Sequence, residues 1–287
     1  MAKHRIAIMY DFDKTLSTHD MQEFEFIPNL GLTAGEFWGK TGVIGGKNGM
    51  DKILAYMLVM VQECKKNNIK LTKEYLNSLG KSVKFFDGVT TWFDRINAYG
   101  LERDCEIEHY IISSGTKEII EGTSISDKFK EIYACEFVYD DQTLEPIWPK
   151  VAINYTNKTQ YVFRISKGAF DILDDEKLNT DIQDNERHVM YRNMIYIGDG
   201  LTDIPCMQIV KDKGGKSIAV TNNKEVTLKL LQDKRINFVC NANYQEDSAL
   251  CKYIKQVIDF MVSNEEIQKK ESIQNKTRQT LSEKKNV

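Results

Sequence analysis

Two aspartates one residue apart, Asp11 and Asp13, follow directly on the apolar run Ile6-Ala7-Ile8-Met9, in the stretch Tyr10-Asp11-Phe12-Asp13-Lys14-Thr15. The run is short, rich in β-formers and bounded by charge, the pattern of a buried parallel strand. In an extended chain residues i and i+2 face the same way, so both carboxylates project together from the strand's carboxyl end. Open α/β sheets bind their ligands at that end. Adjacent carboxylates repel, and the arrangement is tolerable where one is protonated or a cation lies between them. The chemistry on offer is therefore acid–base work or the binding of a hard cation, with a solvated strand end as the competing reading.

A second stretch repeats the arrangement far along the chain. The apolar run Met194-Ile195-Tyr196-Ile197 ends in Gly198-Asp199-Gly200-Leu201-Thr202-Asp203, where glycines allow a tight turn and acids again sit at a strand's carboxyl end. Between the two stretches lie Ile111-Ile112-Ser113-Ser114-Gly115 and the lysine Lys158. The pair DFDKT and GDGLTD resembles the first and fourth motifs of the haloacid dehalogenase (HAD) superfamily of aspartate-nucleophile phosphohydrolases. The serine stretch is similar to that family's second motif, and Lys158 is a candidate for its third. Four motifs in the right order over about two hundred residues are much more specific than any one alone.

Phosphate monoesters hydrolyse very slowly unaided, and covalent catalysis splits the reaction into two easier steps, in which a carboxylate attacks phosphorus and water then cleaves the aspartyl-phosphate. The resemblance implies that Asp11 is the nucleophile. It also implies Mg²⁺ held by a carboxylate oxygen of Asp11, the backbone carbonyl of Asp13 and the carboxylate of Asp199, with Asp203 supporting the metal directly or through water. The Asp13 side chain is then free to act as general acid and later as general base. Dehalogenases, whose halide leaving group needs no proton, lack this second aspartate, so Asp13 favours phosphoryl chemistry. Ser113 is expected to hydrogen-bond a phosphate oxygen, with Ser114 and Gly115 beside it at the start of the following helix, which either serine could equally cap.

Lys158 and Lys167 both compete for the lysine role. Lys167 precedes Gly168 at a helix end, where a cation is favourable and needs no catalytic explanation. Lys158 falls in a first helical turn, where the dipole disfavours a cation unless an anion waits there, so Lys158 is assigned to the phosphate and to Asp11. Asp20 resembles the acidic position that contacts the substrate amine in phosphoserine phosphatases, an exposed N-cap being the competing reading. The carboxylate-binding arginine of that subgroup has no counterpart, because no arginine occurs between Arg5 and Arg95. Lys40 or Lys47 could substitute, without the bidentate fork that suits a carboxylate.

The elements that must position these residues follow from periodicity. Helices are expected over 21–26, 50–67, 72–85, 88–100 and 158–173, and from 117 onward. Strands are expected over 109–113, 133–139, 194–197, 217–220 and 238–240, with 143–155 a hairpin or loop outside the parallel sheet and 174–186 an exposed loop. Alternation of strands and helices predicts an α/β, Rossmann-like parallel sheet with helices on both faces, formed by 1–16 and 88–262. The segment 17–87 reads as a small all-helical cap domain inserted after the first strand. Its Gly39-Lys40-Thr41 is not a P-loop, since Gly35 and Gly39 give the wrong spacing and no strand precedes it. The aromatic cluster Phe24, Phe26, Phe37 and Trp38 is read as cap core. The polar tail 263–287 is read as a frayed helix or disordered.

With 287 residues, 41% hydrophobic and 28% charged, the chain suits a globular protein. A net charge of -3 without a basic stripe argues against nucleic acid as a partner. The longest apolar run, 53–61, is too short to span a membrane, and the first strand starts too early to leave room for a signal peptide. The six cysteines show no CxxC spacing, which points to a reducing compartment. The expectation is a cytoplasmic, Mg²⁺-dependent phosphatase acting on a small phosphorylated metabolite, as monomer or homodimer. The alternatives are a phosphotransferase or phosphomutase of the same chemistry, or a non-catalytic scaffold.

Overall fold

The computed structural model describes residues 4–221, 223–232 and 234–285. The first half runs β1 (His4–Tyr10), α1 (Phe26–Asn29), α2 (Ala34–Asn48), α3 (Lys52–Lys66), α4 (Lys73–Leu79), α5 (Val89–Leu101), β2 (Cys105–Thr116), α6 (Lys117–Glu121), β3 (Glu131–Tyr139) and β4 (Pro146–Val151). Then come α7 (Lys158–Lys167), α8 (Asp175–Asn179), β5 (Met194–Gly198), α9 (Ile204–Asp212), β6 (Lys216–Val220), α10 (Lys224–Gln232), β7 (Phe238–Cys240) and α11 (Ala249–Lys285). The strands form one seven-stranded sheet in the order β4-β3-β2-β1-β5-β6-β7, parallel throughout except for β4 against β3. The fold is the α/β, Rossmann-like one.

This order places the topological switch at β1. The chain builds outward from β1 through β2 and β3, then returns to β1's other side with β5, which leaves a crevice beyond the carboxyl ends of these strands. Tyr10 pairs with Ile111 on one side and Ile197 on the other. The Asp11 amide donates to the Ile197 carbonyl at 2.9 Å, so both acidic turns begin abreast. The central strands are buried on both faces, which explains their unbroken apolar runs.

Between β1 and α5 the chain is helical, but not as its composition suggests. The glycine-rich stretch expected to join two helices is itself α2, and it carries Gly35, Gly39, Gly42, Gly45 and Gly46. Each interior helical glycine disfavours a helix by about 1 kcal/mol relative to alanine. Capping offsets part of this: Thr33 and Glu36 form a reciprocal capping box, and Gly49 ends the helix with φ 57°. Burial of Phe37 against Phe26 supplies packing.

Other boundaries differ for local reasons. Residues 21–23 form a single 3-10 turn, with α1 a separate turn after it, and the helix beginning at Lys73 tightens to 3-10 geometry from Gly80 to Ser82. Helix α7 stops at Lys167 because Gly168 takes a left-handed conformation, φ 67°, rather than continuing to 173. The acidic stretch 174–186 contains α8, whose first turn is capped by the Asp174 carboxylate. The polar tail is helical to Lys285, with 286–287 outside the described residues. Glu265 ties α11 to the sheet by accepting from Asn193 at 2.7 Å and pairing with His4 at 3.0 Å.

A buried polar chain braces the sheet behind β1. The Trp92 indole donates to the Tyr10 hydroxyl at 2.8 Å, Tyr10 meets His109 Nδ1 at 3.0 Å, and His109 Nε2 meets Asn97 Oδ1 at 3.0 Å. Because Tyr10 already accepts from Trp92, its proton points to Nδ1, which fixes the neutral Nε2–H tautomer of His109. Burial pushes the imidazole down to about 3. Between pH 6.5 and 3 the unfolded chain therefore binds a proton that the folded chain refuses, and stability falls as pH falls across that window. One such proton amounts to about 1.4 kcal/mol per pH unit. Denaturant titrations of His109→Asn are expected to show a shallower loss of stability than the wild type between about pH 6.5 and about pH 4. Identical slopes would rule out His109 as the group responsible.

Candidate functional site

The acidic cluster is assembled by strand ends. Asp11 lies one residue beyond β1, Asp199 one residue beyond β5, and Asp203 begins the approach to α9. One carboxylate oxygen from each of the three lies within 4.8 Å of the others. Lys158, the first residue of α7 and 1% exposed, places Nζ 2.9 Å from Asp11 Oδ1 and 2.9 Å from Asp203 Oδ1. The Tyr196 hydroxyl donates to the same Asp203 oxygen at 2.8 Å. Lys167 lies elsewhere: its ammonium donates to the carbonyls of Leu178 and Thr180, each at 2.6 Å.

Three carboxylates facing one ammonium leave two unbalanced negative charges. Burial and then Asp203 push Asp11 up to about 6 against the pull of Lys158. Burial, Asp203 and Asp11 push Asp199 up to about 8. Asp203 Oδ2 is buried without a hydrogen-bond partner. An all-oxygen donor set with surplus charge and an orphaned carboxylate oxygen fits a hard divalent cation.

Asp13 stands apart from this cluster. Its Oδ1 accepts the Met21 amide at 2.7 Å, and burial, then Asp20 and Asp11, push it well above the usual carboxylate range. Lys14, in a left-handed conformation at φ 56°, reaches Asp20 Oδ2 at 2.6 Å. That pair gives Asp20 a partner already.

Ser113 Oγ accepts the Gly115 amide at 2.9 Å, which leaves its proton free to donate. Neither Ser113 nor Ser114 caps α6: its N-cap is Thr116, without a side-chain hydrogen bond, because β2 runs on through the serines. Ser114 Oγ and Thr15 Oγ1 are buried and unpartnered, so unsatisfied oxygens gather at the motif residues. At Gly115 a Cβ would lie 2.0 Å from Met21 Cε and 3.0 Å from Asp13 Oδ2, so a side chain there would displace the end of Met21. At Gly198 a Cβ would lie 2.4 Å from Asp203 Oδ2.

The helical segment contributes residues that sequence reasoning missed. The Tyr56 hydroxyl donates to the Ser114 carbonyl at 2.8 Å, which ties α3 to the carboxyl end of β2. Nothing in a sequence signals a contact across 58 residues. Tyr196 had a weak signal, a polar tip within an otherwise aliphatic strand. Trp38, read as core, is only partly buried and lines a cavity that also contains Asp13, Asp20 and Ser114. Lys40 is paired with Glu63 at 2.7 Å.

No known family's sequence profile matches the chain. It is 27% identical over 289 residues to an uncharacterized protein of Borreliella burgdorferi, spanning 90% of this chain and 98% of that one. Among solved structures, a substrate-bound phosphoserine phosphatase superposes with a TM-score of 0.56 at 16% identity, over 89% of this chain and 99% of that one. A HAD-family hydrolase of Salmonella enterica serovar Typhi gives 0.55 at 19% identity, over 83% and 68%. A cytosolic 5'-nucleotidase IIIB bound to cytidine gives 0.51 at 14%, over 90% and 86%. The chain shares its fold with these three structures. Among the described residues no helix is long and apolar enough to cross a membrane.

Proposed function

We propose that the chain is a divalent-metal-dependent phosphatase of small phosphate monoesters, working through an aspartyl-phosphate on Asp11. One observation carries this reading: the buried Lys158 ammonium bridges Asp11 and Asp203 at 2.9 Å each, with Asp199 alongside, at the carboxyl ends of β1 and β5. The known structures that share the fold include a phosphoserine phosphatase and a 5'-nucleotidase, which supports the same chemistry.

Asp11, Asp199 and Asp203, with the backbone carbonyl of Asp13, would hold Mg²⁺. When bound it would neutralise charge on the phosphate and on the attacking carboxylate. An Asp11 oxygen forms the bond to phosphorus as the ester oxygen departs with its electron pair. Asp13, kept protonated by its buried and anionic surroundings, supplies the proton to that oxygen. The resulting Asp13 carboxylate then takes a proton from the water that cleaves the aspartyl-phosphate, returning Asp11 and releasing phosphate. Lys158 holds Asp11 in line, and the free Ser113 proton binds a phosphate oxygen. In this reading residues 1–16 and 88–262 form the catalytic core and 17–87 the cap over it. All six cysteines are free thiols, which suits a cytoplasmic setting.

A panel of phosphate monoesters, p-nitrophenyl phosphate included, assayed with Mg²⁺ and with EDTA, tests the reading. Phosphate release that requires the metal is expected. No release from any ester, with any divalent ion, would overturn it.

A further inference from the structure

The cavity beside Asp13 has a volume of about 730 Å³. That is the range of pockets that enclose drug-sized ligands, and more room than the alcohol part of an amino-acid phosphate needs. The room is written into α2. Gly42, Gly45, Gly46 and Gly49 line the cavity, and a Cβ built at Gly42, Gly46 or Gly49 would meet nothing within 4 Å. These glycines are therefore not small to let another element pack closely. Gly49 is accounted for as the left-handed C-cap, but Gly42 and Gly46 lie inside the helix, which glycine disfavours, so the smallness of these two serves the space in front of them.

Three aromatic side chains, Trp38, Tyr56 and Tyr155, share the lining with polar and aliphatic ones, and the first two are held in place. The Trp38 indole donates to Glu23 Oε1 at 2.9 Å and stands edge-on to Tyr56, 6.1 Å between centroids at 74°. Tyr56 is in turn fixed to the Ser114 carbonyl, and Tyr155 lies on the same cavity. Ser114 Oγ, buried and unpartnered, also belongs to it. The charges do not suit a zwitterion. Asp20 is taken up by Lys14, no guanidinium lines the cavity, and Lys52 is its one cation without an ion pair among the described residues. Aromatic side chains that line a cavity favour stacked or edge-to-face contact with a planar ring.

We infer that the substrate is a phosphate monoester whose alcohol carries a planar heterocycle, rather than an amino-acid phosphate. The inference rests on the phosphatase reading for its reaction but on the cavity for its ligand. The test compares kcat/KM for nucleoside 5'-monophosphates and pyridoxal phosphate with that for phosphoserine and glycerol phosphate, in the wild type and in Gly46→Leu. Leucine favours the helix and meets no neighbour, so that variant folds. The wild type is expected to prefer ring-bearing esters by on the order of 100-fold, and Gly46→Leu to reduce the ring-to-small ratio by on the order of 30-fold. Which ring is preferred separates the nucleoside from the pyridine source. A wild-type preference for phosphoserine, or a ratio unmoved by Gly46→Leu, overturns the inference. Quenching of tryptophan fluorescence by the free alcohols, adenosine, cytidine and pyridoxal, reads the cavity without turnover. Binding that weakens in Gly46→Leu supports the inference even if no ester is hydrolysed, an outcome that removes only the phosphatase reading. Absence of binding by every ring overturns the inference itself.

Discussion

Asp11→Asn is expected to abolish turnover, by on the order of 10⁴-fold in kcat, while leaving the protein folded. The amide matches the carboxylate in shape, and Lys158 keeps its 2.9 Å contact with Asp203. One of three crowded carboxylates is neutralised, so like-charge repulsion in the cluster falls. The metal-free variant should therefore melt no lower than the wild type. Its gain in thermal midpoint on adding Mg²⁺ should be smaller, because a ligand has been weakened. A second readout separates covalent from direct hydrolysis. Acid-quenched wild type should yield a phosphorylated peptide containing Asp11, Asp13→Asn should accumulate it from p-nitrophenyl phosphate, whose leaving group needs no proton, for want of water activation, and Asp11→Asn should yield none. Turnover by Asp11→Asn at near wild-type rate would remove the covalent mechanism.

The sheet was legible because its central strands are buried on both faces, and continuous apolar runs ending in acid or glycine leave few alternatives. The gathering of Asp11 and Asp199 followed from the same logic, since both close parallel strands that neighbour each other in the sheet. The place of Lys158 beside the carboxylates was legible through a local conflict, a cation placed where the helix dipole opposes it. What escaped was either masked or distant. Helix α2 was masked by its glycines, although the Thr33 and Glu36 capping pair marked its start. The Tyr56 to Ser114 bond and the Tyr196 to Asp203 bond depend on how helices and turns settle in space. Strand β4 carries Pro146 and Pro149, which argue against a central strand and are accommodated at the sheet's edge. The cavity shape, and with it substrate choice, depends on the space those elements leave.

Lys158→Met is expected to be the most damaging single change, because it acts on stability and on chemistry together. The methionine fills the same buried volume but leaves Asp11 and Asp203, 6% and 0% exposed, without their cation. Removing one partner of a buried ion pair costs about 3 to 5 kcal/mol, and for a chain of this size that lowers the thermal midpoint by roughly 10 °C. Activity should fall by on the order of 10³-fold, since Asp11 loses the group that orients it. Two companions make the result specific. Lys158→Met/Asp203→Asn removes a carboxylate along with the ammonium, so in EDTA the double variant should lose less stability than the sum of the losses in Lys158→Met and Asp203→Asn, a non-additivity expected only if the two side chains share one interaction. Lys167→Ala should keep its activity, because the Lys167 ammonium donates to the carbonyls of Leu178 and Thr180, away from the acidic cluster. Should Lys167→Ala lose activity while Lys158→Met keeps it, the phosphate-binding lysine would have to be reassigned, and the Lys158 bridge would be a structural ion pair alone.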